Sequence, residues 1–116
     1  MTKIINTDKI DELSRDIGEE NLPMLFHIFI GELLDYAEAL SDGKFENDAA
    51  EDQLKSISHS LKSSAASFGA EMLCAFATNL DAQYKTGEPI NTPENRETMI
   101  GHLRTTREEY VKLTRQ

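Results

Sequence analysis

The chain has 116 residues, 39% of them hydrophobic, and its 21 acidic against 12 basic side chains give a formal net charge of −9. That length suits a single domain, 1-116, with one modest core, and the acidity argues against nucleic acid, whose phosphates demand the opposite sign. No apolar run approaches a membrane span, Met1 to Asn6 lack the apolar centre of a signal peptide, and the lone Cys74 is expected to pack as a small hydrophobe, so the expected compartment is the cytoplasm.

Apolar residues recur at three- and four-residue spacing, and no alternating strand pattern interrupts them. A short first helix is predicted from about Asp8 to Ile17, with Ile10, Leu13 and Ile17 on one face and Gly18 ending it. Asn21 reads as the N-cap of the second helix, and Pro23 falls in its first turn, where a missing N–H costs nothing. That helix carries Leu22, Phe26, Phe29, Leu33, Tyr36 and Leu40 and stops before Asp42-Gly43. The third is predicted from near Asn47 to Gly69, and the fourth follows at once with Leu73, Phe76, Leu80 and Tyr84, ending near Thr86-Gly87. Thr92-Pro93 caps the fifth, whose inward stripe is Met99, Leu103, Tyr110 and Leu113. Short connections force neighbouring helices to run antiparallel. The expected fold is all-α, an up-down-up-down antiparallel four-helix bundle with an additional short N-terminal helix.

The third helix carries the chemistry. Leu54, Ile57, Leu61, Ala65 and Phe68 form its apolar face. At about 100° per residue His59 lies roughly 150° from the middle of that stripe, facing outward. Lys55, Ser56, Lys62, Ser63 and Ala66 stand three, four or seven positions from His59 and share its face. Ser58, Ser64 and Ala65 fall on the inward flank, where small residues let helices pack closely. From Gln53 to Ala70 the chain has no carboxylate, only Lys55 and Lys62, so an acidic protein presents one neutral-to-positive window. Ser63 and Ala66 keep the approach to His59 clear. A neutral imidazole is a good nucleophile near pH 7; a neighbouring ammonium disfavours the imidazolium and offsets the charge of an arriving phosphoryl group.

Other chemistries lack their residues. No Glu precedes a histidine by three positions, and no His-Glu-x-x-His or Cys/His zinc spacing occurs, so no metal site is expected. His27 and His102 have no obvious partners and read as structural or surface groups. There is no Gly-rich phosphate loop, so the chain is not a kinase. One exposed histidine with one lysine a turn away suits a phosphoryl acceptor and is too little for a self-sufficient enzyme.

The segment His59-Ser60-Leu61-Lys62-Ser63-Ser64-Ala65, with Gly69-Ala70 after Phe68, resembles the phosphoacceptor signature of histidine-containing phosphotransfer (HPt) domains. One position departs from it, because Ser63 stands where a glycine is usual. Ile57-Ser58-His59, Leu61 through Ala70, Asp11-Glu12-Leu13-Ser14, Asp16-Ile17-Gly18, Ile28-Phe29 and Gly31-Glu32 extend the likeness to the quorum-sensing phosphorelay members of that family. The resemblance implies that His59 is the phosphoacceptor and Lys62 the phosphate-stabilising cation. It implies a phosphoryl group passing from the receiver domain of a hybrid sensor histidine kinase to His59, then to a response regulator, an enhancer-binding transcriptional regulator. The chain would need no cofactor, because the receiver brings the acidic pocket, its Mg²⁺ and the phosphorylated aspartate. Lys55, Ser56, Ser63 and Ala66 would form the small access and docking face, extended by exposed apolar parts of the first two helices such as Ile28 and Leu34. A monomer is expected. The alternatives are a non-catalytic helical-bundle adaptor, in which His59 has no chemistry, and, ranked last, a true enzyme using His59 as base or nucleophile.

Overall fold

The computed structural model describes residues 3–42 and 47–115, which form five α-helices and no strand. Helix α1 spans Thr7–Ile17, α2 Leu22–Ser41, α3 Asn47–Phe68, α4 Glu71–Lys85 and α5 Pro93–Thr114. The predicted breaker Gly43 lies outside the described residues, as do Met1 and Thr2 of the segment read for a signal peptide. Helix α3 lies chiefly on α4 and α2 chiefly on α5, and α1 rests on α3 and the start of α2. Helices α2 to α5 make the antiparallel bundle expected from the short connections.

The apolar stripes meet as the spacing requires. Phe26, Phe29, Leu33, Leu54, Leu61, Ala65, Leu73, Leu80, Met99, Leu103 and Tyr110 are buried in one core. At one end Phe29 stacks on Phe68 with ring centroids 4.4 Å apart, and Tyr110 meets Phe29 edge-on at 5.1 Å. The Tyr110 hydroxyl donates to the Phe68 carbonyl at 2.6 Å, tying α5 to the end of α3. At the other end the Glu51 carboxylate accepts the N–H groups of Ile90 and Asn91 at 2.7 and 2.8 Å, and Arg96 donates to the Leu40 carbonyl at 2.8 Å. Both ends of α3 are therefore pinned, which holds its middle turn in a fixed orientation.

Helix ends show where local chemistry decides. Thr92 caps α5 as predicted, its hydroxyl accepting the Asn95 N–H at 3.0 Å. Asn21 does not cap α2. Gly18, at φ 91°, opens a 3₁₀ turn over Glu19–Asn21 that runs straight into the helix, leaving Asn21 in helical backbone. Its amide donates back to the Ile17 carbonyl at 2.6 Å instead. The residue that does cap an early helix is Asn6, which accepts the Asp8 N–H at 3.0 Å.

Gly69 ends α3 at φ 78°, with Ala70 N–H bonded to the Ala65 carbonyl at 2.8 Å and Gly69 N–H to that of Ala66 at 3.2 Å, a Schellman closure. A Cβ on Gly69 would lie 2.6 Å from the Asn6 carbonyl oxygen and 2.9 Å from Lys9 Cβ. The glycine is thus demanded twice, by its left-handed backbone and by the chain docked over it. The Asn6 N–H donates to the Gly69 carbonyl at 2.7 Å, and Met72 N–H to that of Lys3 at 3.1 Å. The N-terminal segment is stitched across the turn between α3 and α4.

Candidate functional site

His59 stands near the middle of α3 with its side chain 66% exposed. Ser56, Ser63 and Ala66 are exposed around it, while Ser58 and Ala65 are buried and Ser64 is half-buried on the flank toward α2. Ser58 has no hydrogen-bond partner for its hydroxyl, so its contribution is its size. The outward face read from the sequence is present as a face.

The structure adds a group that the sequence reading lacks. Asp81 of α4 projects into the seam with α3 and is almost fully buried, its side chain 4% exposed. Its Oδ2 takes the ammonium of Lys62 at 2.9 Å and that of Lys85 at 2.9 Å. Its Oδ1 lies 3.6 Å from His59 Nδ1. That separation is too long for a strong hydrogen bond, but it sets a negative charge against one particular ring nitrogen. The Lys85 and then the Lys62 ammonium hold the Asp81 carboxyl down at about 2, so it is ionised at neutral pH. The same pairing raises the Lys85 ammonium above its ordinary value.

Lys62 is therefore not a bare ammonium beside the ring, as the sequence alone suggests; it is shared with a carboxylate. Lys55 is engaged too, its ammonium 5.4 Å from the centre of the Tyr84 ring. Both lysines and His59 lean toward α4. Beyond them Ala66 lines a hollow of about 400 Å³ together with Lys9, Gly69 and Cys74, whose thiol is half-buried rather than fully packed away. Ile28 and Leu34 of α2 are 59% and 37% exposed, and Asp81 and Lys85 join the group around His59 from α4.

The arrangement selects a tautomer. A carboxylate beside Nδ1 favours the ring form that carries its proton there, which leaves Nε2 with the free lone pair. Charge also balances usefully: two ammoniums against one carboxylate leave one positive charge over for an arriving anion. The described residues contain no cluster of three or more His, Cys, Asp or Glu side chains that could hold a metal ion. His102 lies away from this group, half-buried with its ring centre 5.1 Å from that of Phe76, and burial lowers its pKa. His27 is exposed on α2.

The Hpt domain model matches residues 24–111, most of the chain and all of the group around His59, and the protein belongs to that family. The phosphorelay protein LuxU of Vibrio cholerae is 47% identical over 97% of this chain and 98% of its own length. The LuxU proteins of Vibrio vulnificus (strain YJ016) and Vibrio harveyi are each 39% identical, over 94% and 97% of the chain and 93% and 97% of their own lengths. No solved structure gives a significant match. Among the described residues no helix is long and apolar enough to cross a membrane.

Proposed function

We propose that this protein is a histidine phosphotransfer protein of a multistep two-component phosphorelay in bacterial quorum sensing, carrying the phosphoryl group on His59. The observation that carries the reading is an exposed imidazole whose Nδ1 faces a buried carboxylate clamped by two lysines, on a chain of the Hpt family. The similarity to LuxU supports the relay and its quorum-sensing setting. Family membership leaves the adaptor reading unfavoured.

The chemistry follows from the tautomer. Nε2 attacks the phosphorus of an aspartyl phosphate on a receiver domain, forming an N–P bond while the P–O bond to the aspartyl carboxyl breaks. The electron pair leaves with the aspartate carboxylate. The proton on Nδ1 stays in place, so the phosphorylated ring is cationic, and Asp81 Oδ1 is the counter-charge beside it. Lys62 offsets the phosphoryl oxygens. In the second half an aspartate of the response regulator attacks the same phosphorus, the N–P bond breaks, and the ring returns neutral without releasing a proton. The chain supplies an acceptor and its electrostatics; the receiver supplies the Mg²⁺ and the acidic pocket. In this reading Ser56, Ser63 and Ala66 form the open approach, Lys55 stands at its edge, and the protein acts as a cytoplasmic monomer.

Incubation with a receiver domain phosphorylated on its aspartate tests the reading. The expected product is an acid-labile, base-stable phosphate on this protein, mapped to His59. A protein that takes no phosphate, or takes it elsewhere, overturns it.

A further inference from the structure

Two ammoniums converge on one oxygen of Asp81, and they are not equivalent. Lys85 is four residues after Asp81 on the same helix, in the order that favours an acid–base pair. It also sits in the last turn of α4, where the helix end favours a cation. The register of α4 alone therefore delivers Lys85 to Asp81. Lys62 reaches Asp81 across the seam from α3, and it stands one turn beyond His59 on its own helix. A phosphoryl group on the His59 ring brings two further negative charges within reach of Lys62, whereas one carboxylate oxygen holds it now. Held on the same atom, the two ammoniums repel each other, and a second anion relieves that repulsion.

We propose that Lys85 is a positioning residue for the phosphorylated state: on phosphorylation Lys62 turns from Asp81 to the phosphoryl oxygens, and Lys85 alone keeps Asp81 aimed at His59 Nδ1. The inference rests on His59 being the phosphoacceptor. With Lys85 in place the cationic phosphohistidine ring keeps its counter-charge while Lys62 is away. Without Lys85, Lys62 must serve either the buried carboxylate or the phosphoryl group, and the phosphohistidine loses one of its two stabilising contacts. In the unphosphorylated protein the loss is small, because Lys62 still holds Asp81.

The test uses the full chain as parent, Lys85→Met, Lys85→Arg, Lys62→Ala and the Lys62→Ala/Lys85→Met pair. Each is phosphorylated with phosphoramidate, a small donor whose phosphoryl group passes to a ring nitrogen as ammonia leaves, and is then freed of reagent. The decay of acid-labile phosphate and the thermal melt of the unphosphorylated protein are measured. Lys85→Met should melt close to the parent yet hold its phosphate for a lifetime shortened about two- to fivefold, the range of a partly exposed charge pair. Lys85→Arg should recover most of that lifetime. Lys62→Ala should shorten the lifetime less when Lys85 is already methionine than it does in the parent, because there Lys62 is already drawn back to Asp81. Equal lifetimes for parent and Lys85→Met, failure of arginine to rescue, or effects that simply multiply would each overturn the proposal. A parent that takes no phosphate on His59 from either phosphoramidate or a receiver fails at the phosphoacceptor itself. A parent that is labelled normally while the lifetimes agree fails at Lys85 alone.

Discussion

Ser63→Leu separates docking from chemistry. Ser63 follows His59 by four residues, which places it about 6 Å along the axis and about 40° round it, on the same outward face. It is exposed. Leucine gains a few tenths of a kcal/mol in intrinsic helix propensity over serine, and a substitution in solvent stays within about 0.5 kcal/mol. The isolated protein should therefore melt no lower than the parent. A docked receiver must bring phosphorus to within about 3–3.5 Å of the ring nitrogen, and a misplacement of about 1 Å costs on the order of 10²-fold in rate. A leucine side chain stands taller than the serine hydroxymethyl by more than that distance. Phosphotransfer from a labelled receiver should fall by on the order of 10²-fold, labelling by phosphoramidate should be retained, and Ser63→Gly should exchange at least as fast as the parent. Parent-like transfer by the leucine variant would mean that the small face is not the approach. Loss of transfer together with stability would mean that Ser63 is packed against something, and the outward placement of His59 would fall with it.

His59→Gln should melt within a degree or two of the parent, since an exposed residue contributes little, and should take no phosphate from a receiver; residual labelling at the parent level would remove His59 from the reaction. Asp81→Asn tests the linkage of charge to stability. The carboxyl is held at about 2 in the folded protein against an ordinary 3.8, so its contribution is complete above about pH 4 and is lost as pH falls toward 2. Denaturation midpoints collected over that window should fall more steeply for the parent than for Asp81→Asn, and parallel curves would contradict the pairing. Tyr110→Phe removes the donor to the Phe68 carbonyl and should lower unfolding free energy by about 1 kcal/mol, read by chemical denaturation; no change would mean that the bond adds nothing to pinning α3.

Most of the fold was legible because apolar spacing and end signals agree. Gly18, Thr92-Pro93 and the stripe Met99, Leu103, Tyr110 place α1 and α5 with little ambiguity. Asn21 failed because an N-cap is defined by extended backbone, and Gly18 upstream had already committed the chain to a 3₁₀ turn. Within the candidate site, His59 and its small, exposed neighbours follow from one helix and could be read from it. Asp81 could not, because its place beside His59 depends on the register of α4 against α3. A clue was nevertheless present: Asp81 follows Leu80 and lies four residues after Ala77, on the inward flank of an apolar helix, where a carboxylate stays ionised only if cations come with it. The window without acids between Gln53 and Ala70 is thus filled from another helix, and its lysines are paired.

The stitched turn at Gly69 and Ala70 has a further meaning as a phase setting. His59 and Lys62 lie before that turn and Asp81 and Lys85 after it, so the two helical repeats set which faces of α3 and α4 meet in the packed seam. One residue inserted between the turn and Asp81 would rotate the end of α4 by about 100°, swinging the carboxylate out of the seam and bringing an apolar neighbour in. Three or four inserted residues would nearly restore the angle but shift Asp81 along the axis by roughly 5 Å or more, past the reach of His59. Side chains on the exposed face can vary one at a time, but a residue gained or lost within α4 before Asp81 carries the carboxylate away from His59.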